Sequence, residues 1–233
     1  MKKLIFSILA AMATFASNAQ DIQLHYDFGR NLYSKQQAER PKVTMTLEQF
    51  KADRWGSWFY FVDVDFSRKF VEAAYTEIAR EFNIGHKGFA AHVEYDGGLN
   101  KGGSYQQAAL VGPAWNGASD DFSKTYGIQL MYKHYFKSYS YTSSYSSVQL
   151  TGVWGLTFAN KKLTFSGFID IWRGEKPNGH GQMVVMTEPQ LWYNITSNLS
   201  VGTEWELSNN FVYNTCDNKS FFFNPTVGAK WNF

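Results

Sequence analysis

The sequence predicts an all-β protein: a twelve-stranded antiparallel transmembrane β-barrel of the outer-membrane type. Three observations lead there, at the chain start, at the chain end, and in the lengths of the connections between. At the start, Met1-Lys2-Lys3 precedes an apolar stretch, residues 4–16, that is too short to span a bilayer. Ser17-Asn18-Ala19 then offers the small residues that a signal peptidase reads, so cleavage is expected before Gln20. Residues 1–19 read as a signal peptide and residues 20–233 as one barrel domain with no linker. Removal of Lys2 and Lys3 takes the formal charge from +2 to 0, leaving no basic excess to suggest nucleic acid.

At the end, Phe221, Phe223, Pro225, Val227, Ala229, Trp231 and Phe233 form one row of an alternating segment. Phe222, Asn224, Thr226, Gly228, Lys230 and Asn232 form the other. Such a strand sets its apolar row on a core or a membrane, and an aromatic last residue suits the interface. This is the closing strand expected of a barrel, pairing back onto the first strand and presenting Phe233 to the barrel-assembly machinery.

Composition agrees. Aromatic residues make up 18 % of the chain, hydrophobic residues 44 %, and beyond the leader no apolar run approaches the length of a membrane-crossing helix. The single Cys216 excludes an internal disulfide and sits in a polar stretch, where a bland free thiol is expected.

The strands follow in order. The first covers residues 22–29, with Ile22, Leu24, Tyr26 and Phe28 on one face, and the second covers 43–50, with Val43, Met45 and Leu47. The third, 58–66, sets Trp58, Tyr60, Val62, Val64 and Phe66 against Phe59, Phe61, Asp63 and Asp65. The fourth spans 75–84. In the fifth, Phe89, Ala91, Val93 and Tyr95 oppose His92, Glu94 and Asp96. The sixth, 105–114, carries Gly112-Pro113, which marks an irregularity or the strand end. The seventh holds Tyr126, Ile128, Leu130 and Tyr132; the eighth Val148, Leu150, Trp154, Leu156 and Phe158; the ninth Leu163, Phe165, Ile169 and Ile171. The tenth is 183–193, and the eleventh sets Leu199, Val201, Trp205 and Leu207 against Glu204 and Glu206.

Connections after even-numbered strands are short (85–88, 159–162, 196–198), and those after odd-numbered strands are longer (30–42, 136–147, 174–182, 212–219). Short periplasmic turns and long external loops are the barrel pattern, and a soluble sandwich has no reason to sort loops by parity.

The lumen then receives the row opposite the apolar one. That row holds Phe59, Phe61, Asp63, Asp65, Glu77, His92, Glu94, Asp96 and Gln149, then Phe168, Asp170, Trp172, Glu188, Gln190, Trp192, Glu204, Glu206 and Asn210. Charges facing lipid are costly near the midplane, roughly 2–4 kcal/mol for Arg or Lys, so the carboxylates too belong inside. Arg80 and Arg173 are the cations expected to pair with them. Aromatic faces beside hydrogen-bonding groups suit a solute with a flat π-face and a polar sugar edge; filling of a narrow barrel explains the same aromatics equally well.

Several stretches resemble the Tsx-like family of nucleoside-specific channel-forming outer-membrane proteins. They are Gly167-Phe168-Ile169-Asp170-Ile171-Trp172-Arg173-Gly174, Thr187-Glu188-Pro189-Gln190-Leu191-Trp192-Tyr193 and Gly202-Thr203-Glu204-Trp205-Glu206-Leu207-Ser208-Asn209-Asn210. Leu47-Glu48-Gln49-Phe50 through Trp58-Phe59-Tyr60, and Tyr75-Thr76-Glu77-Ile78, are similar to its early strands. The resemblance implies a monomeric twelve-stranded barrel with a narrow lumen and nucleoside sites. Asp63, Glu77, Asp170, Trp172, Glu188 and Trp192 fall in the matching segments. Carboxylates and amides would then meet ribose hydroxyls or base edges. Phe59, Phe61, Phe168, Trp172 and Trp192 would stack on the base. The external loops are shorter than in that family, and some of its entrance aromatics have no match here.

The expected function is passive, selective uptake of nucleosides or similar solutes, with membrane lipid as the other partner. A plugged barrel with a surface role, for instance through the Tyr/Ser-rich loop 139–147, is the first alternative and a barrel hydrolase the second. Hydrolysis needs a nucleophile with a positioned base. No Gly-x-Ser-x-Gly is present, His86 and His180 fall in turns or loops, His25 and His134 near strand ends, and only His92 in a lumen row. No catalytic residue is expected, nor a Ser–His pair. The carboxylate pairs Asp63/Asp65, Glu94/Asp96 and Glu204/Glu206 read as a hydrated acidic wall, so no metal or cofactor is expected. The sequons at Asn194 and Asn198 lie in an expected periplasmic turn.

Overall fold

Alternation commits each segment to a strand with one row for lipid and one for the interior, and only closure leaves no edge unpaired. The computed structural model describes residues 21–67, 70–85, 87–139, 142–176 and 180–233; the expected signal peptide and His86 lie outside them. Its strands are β1 (Asp21–Asp27), β2 (Val43–Asp53), β3 (Gly56–Phe66), β4 (Val71–Asn83), β5 (Phe89–Asn100) and β6 (Ala108–Ala118). There follow β7 (Lys124–Tyr135), β8 (Tyr145–Phe158), β9 (Leu163–Glu175), β10 (Gly181–Thr187 with Gln190–Asn194), β11 (Leu199–Asn209) and β12 (Phe221–Asn232).

Each pairs antiparallel with its neighbours in sequence, and β12 returns to β1 in the register Ile22↔Trp231, Leu24↔Ala229 and Tyr26↔Val227. The result is a closed twelve-stranded barrel. The one described helix, α1 (Gly29–Leu32), opens the first long connection.

Three expectations are corrected. The sixth strand begins at Ala108 and runs on through Pro113 to Ala118; pairing with β7 lapses at Gly112 and Pro113, where proline has no N–H to give. The tenth strand breaks at Glu188-Pro189, and Gly167 on β9 faces the break. A Cβ on Gly167 would lie 2.5 Å from the Glu188 carbonyl oxygen, so only glycine admits this approach. The connections after β3 and β9, residues 67–70 and 176–180, are no longer than the turns 84–88 and 119–123, so loop length follows parity only after β1, β5, β7 and β11.

The outward row is apolar along the wall, with Leu24, Ile78, Val93, Leu130, Leu150, Val201 and Val227 exposed. Near the short-turn end the same row carries Trp58, Phe82, Phe89, Trp115, Tyr126, Phe158, Tyr193 and Trp231, all exposed. An apolar band ending in an aromatic girdle is what a bilayer and its interface select. Inside, Ala108, Leu110 and Met131 pack together against Tyr135 and fill one side of the lumen with apolar volume.

Candidate functional site

Cross-strand register brings the acids of separate strands onto one inner surface. Thr46 faces Asp63 and Glu48 faces Phe61 across β2 and β3, Phe61 faces Glu77 across β3 and β4, and Glu77 faces Asp96 across β4 and β5. Asp170 faces Thr151, and Gln190 faces Glu204. Asp63 lies within electrostatic reach of Glu188 and Glu204 from the other side of the lumen, and Glu77 within reach of Asp170. Acids from opposite sides of the barrel therefore share one lumen.

One wall is built from β11, β12 and β1. Arg40, from the first long connection, reaches down to bridge Asp27 (2.9 Å) and Glu206 (2.8 Å). Burial disfavours its charge, but Glu206 and Asp27 outweigh that and hold the guanidinium pKa above its ordinary value. Gln37 from the same connection donates to Asn224 (2.8 Å), and Tyr33 sets its ring edge-on to Phe222 at 5.1 Å. Residues 28–42 thus fold inward over the long-loop mouth. Lower down, His25 contacts Thr226 (2.9 Å) and Gln23 (3.0 Å). Trp192 is enclosed by the His25 ring at 5.6 Å, by Lys230 at 4.4 Å over its face, and by its own hydrogen bond to Gln190 (2.8 Å). A cavity of about 330 Å³ opens beside it at the short-turn end, lined by Thr164, Asn194, Ser200 and Lys230 among others.

The other wall runs from β4 to β9. Lys133 donates to Asp96 (2.9 Å) and Gln149 (2.8 Å), and lies 5.4 Å over the Trp172 ring. His92 sits between Glu81 (3.2 Å) and Glu94 (3.0 Å), Tyr75 donates to Glu77 (2.9 Å), and Thr151 donates to Asp170. Phe59, Phe61 and Tyr75 form a ladder of tilted rings about 6 Å apart, at 6.1 and 6.0 Å.

The inward placement expected for Phe59, Phe61, Asp63, Glu77, His92, Glu94, Phe168, Asp170, Trp172, Gln190, Trp192, Glu204 and Glu206 is what register gives, and Glu188 joins them at the break in β10. Arg173 is the exception. It pairs with Met183 on the outward row and is exposed, because one step along a strand reverses the face. Arg80 is also on the outward row: it pairs with Trp58, stacks between Trp58 and Phe82, and bridges Asp53 at the end of β2, and among the described residues it meets no lumen acid. Trp192 is 1 % exposed, with Lys230 over its ring and its edge on the short-turn cavity, so little of its face is open as it stands. His92 is not alone, since His25 also lies in the inward row.

A Ser–His contact does exist. Ser146 Oγ is 3.0 Å from His134 Nδ1 and 2.6 Å from the Tyr132 hydroxyl, on the outward row of β7 and β8. Among the described residues no carboxylate hydrogen-bonds to that histidine, so the pair lacks the orienting third group. Sequence reading missed Lys133 and Glu48, which the alternation of β7 and β2 already placed inward. It also missed Arg40, for which a loop offers no periodic signal.

The fold and its apolar outer band define an outer-membrane β-barrel of porin architecture. The chain belongs to the family described as Domain of unknown function (DUF5020), whose model matches residues 19–233. No curated protein matches the sequence. Among solved structures it is similar to the NanC porin, with a TM-score of 0.61 and 15 % identity over 91 % of this chain and 99 % of that one. It is also similar to the KdgM porin, with a TM-score of 0.52 and 14 % identity over 91 % and 98 %. The KdgM porin in complex with disordered oligogalacturonate gives a TM-score of 0.51 and 13 % identity over the same shares. These likenesses are of fold; the apolar outer band and its aromatic girdle are what suit this barrel to the outer membrane.

Proposed function

We propose that the protein is a narrow outer-membrane channel for passive, selective passage of small polar solutes without net negative charge, nucleosides foremost. The observation that carries this reading is the make-up of the inward row. Its carboxylates are interleaved with the faces of Phe59, Phe61 and Phe168, and among the described residues the cations that meet them are few: Lys133 and Lys230 in the row, and Arg40 from the first long connection. A base stacked on an aromatic face gains about 1–3 kcal/mol, and ribose hydroxyls donate to carboxylates. A series of weak sites lets a solute enter and also leave. An acidic lumen repels anionic sugars, so the oligogalacturonate of the KdgM complex is a poor model for this cargo.

The inward fold of residues 28–42 favours a second reading, a barrel closed at its long-loop mouth. Single-channel recording in planar bilayers separates the two. The channel reading expects a small conductance that prefers K⁺ over Cl⁻ and is blocked in a saturable way by adenosine or thymidine but not by glucuronate. No conductance from folded protein gives the closed barrel, and anion preference overturns the cargo class.

A further inference from the structure

Along the sequence, Glu94 and Asp96 make a pair of carboxylates two residues apart, with no third ligand. Pairing of β4 with β5 supplies it by setting Glu77 opposite Asp96. One ligand oxygen from each of Glu77, Glu94 and Asp96 then lies within 4.8 Å of the other two. Each carboxylate is also held by a donor: Tyr75 on Glu77 at 2.9 Å, His92 on Glu94 at 3.0 Å, Lys133 on Asp96 at 2.9 Å. This is the second layer that orients ligands toward a metal.

Asp96 supplies a separate observation. Its side chain is almost wholly buried, at 4 % exposure, yet Oδ1 has no hydrogen-bond partner among the described residues. A buried carboxylate oxygen left without a donor is costly and calls for a ligand. Charge narrows what that ligand is. Three carboxylates against Lys133 leave two negative charges, since the second nitrogen of His92 is engaged by Glu81 at 3.2 Å. A divalent cation brings the group to neutrality. An all-oxygen donor set selects a hard ion, and three protein ligands on a wall facing water suit the loose shell of Ca²⁺ better than the strict octahedron of Mg²⁺.

The geometry points to a Ca²⁺ site formed by Glu77, Glu94 and Asp96 in the wall of the lumen. Binding there requires no solute passage, so it stands or falls apart from the channel reading. The test uses the folded full-length barrel in detergent, with folding checked by heat-modifiable gel migration, and Tb³⁺ luminescence sensitised by neighbouring rings such as Tyr75. One saturable Tb³⁺ site per barrel is expected, displaced by Ca²⁺ with a dissociation constant of about 10⁻⁴–10⁻³ M, as at other extracellular sites. Glu77→Gln, Glu94→Gln and Asp96→Asn each weaken it at least tenfold, and any one that folds suffices. Lys133→Gln strengthens it, because the competing cation is gone, and Glu39→Gln on the external loop leaves it unchanged. Absence of a saturable site in the folded parent would mean that protons alone hold the three carboxylates, and overturns the assignment. Equal affinity in parent and ligand variants does the same.

Discussion

The two inner walls use the same residue types and solve different problems. On the β11–β12–β1 wall, Asp27 receives the Gly29 amide at 2.7 Å on one oxygen and Arg40 on the other. Glu206 receives Asn224 at 2.7 Å on one oxygen and Arg40 on the other. Both acids are satisfied on both oxygens. On the β4–β9 wall, Lys133 is the one ammonium among the described residues in contact with the acids, and an oxygen of Asp96 has no partner among them. The difference is the supply of donors: a guanidinium carries five in a planar fork and an ammonium three on a point. The first wall is a structural seam that also anchors a loop. The second retains capacity to bind.

The largest test of that contrast is Trp192→Ala. Trp192 is 1 % exposed within the seam, so its removal should cost about 4 kcal/mol of unfolding free energy. Urea unfolding of the folded barrel measures it. A loss confined to solute selectivity, with stability kept, would return Trp192 to the solute path. Next comes Arg40→Ala, which leaves Asp27 and Glu206 buried without their shared cation and should cost about 3 kcal/mol. If residues 28–42 narrow the mouth, the same variant also raises single-channel conductance. A variant as stable as the parent would mean that the two acids are hydrated, and the seam is no seam.

What the sequence disclosed follows from period two. Register transmits an alternation from strand to strand, so the inward placement of Phe61, Glu77 and Asp170 was legible once the strands were. Strand ends were less so: Gly112-Pro113 reads as a stop, yet hydrogen bonding on the β5 side carries β6 past it. Arg173 shows the limit of choosing residues by type, since its neighbour Trp172 faces in and it faces out. Nothing periodic marks Arg40, whose role depends on how an irregular loop folds back. The convergence of Glu77 with Glu94 and Asp96 was hidden for another reason: it depends on the register between strands, which a single strand does not reveal.

Between the two walls, the ring ladder offers a smaller effect. Phe61→Ala removes a stacking face between Phe59 and Tyr75 and should weaken nucleoside block about tenfold, the lower range of one base–aromatic contact. Arg173→Ala, on the lipid row, should leave block unchanged. Equal effects from both would mean that nucleosides act outside the lumen.

The smallest effect sharpens the comparison from outside the membrane. Asp121, fully exposed in the turn between β6 and β7, accepts from Ser119 Oγ at 2.6 Å, Ser123 Oγ at 2.8 Å and the Ser123 amide at 3.0 Å. Hydrogen bonds from Ser119, then Ser123, hold its pKa down at about 2, against an ordinary 3.8. A depressed carboxylate pKa contributes stability that is fully present above the unfolded value and fades as pH falls through the folded one. The stability difference between parent and Asp121→Asn should therefore be constant from neutral pH to about 4, shrink between 4 and 2, and vanish below. In water the difference is small, because solvent supplies donors to either state. A pH-independent difference would show that the turn is held by its backbone, and that donor supply matters only where water is excluded.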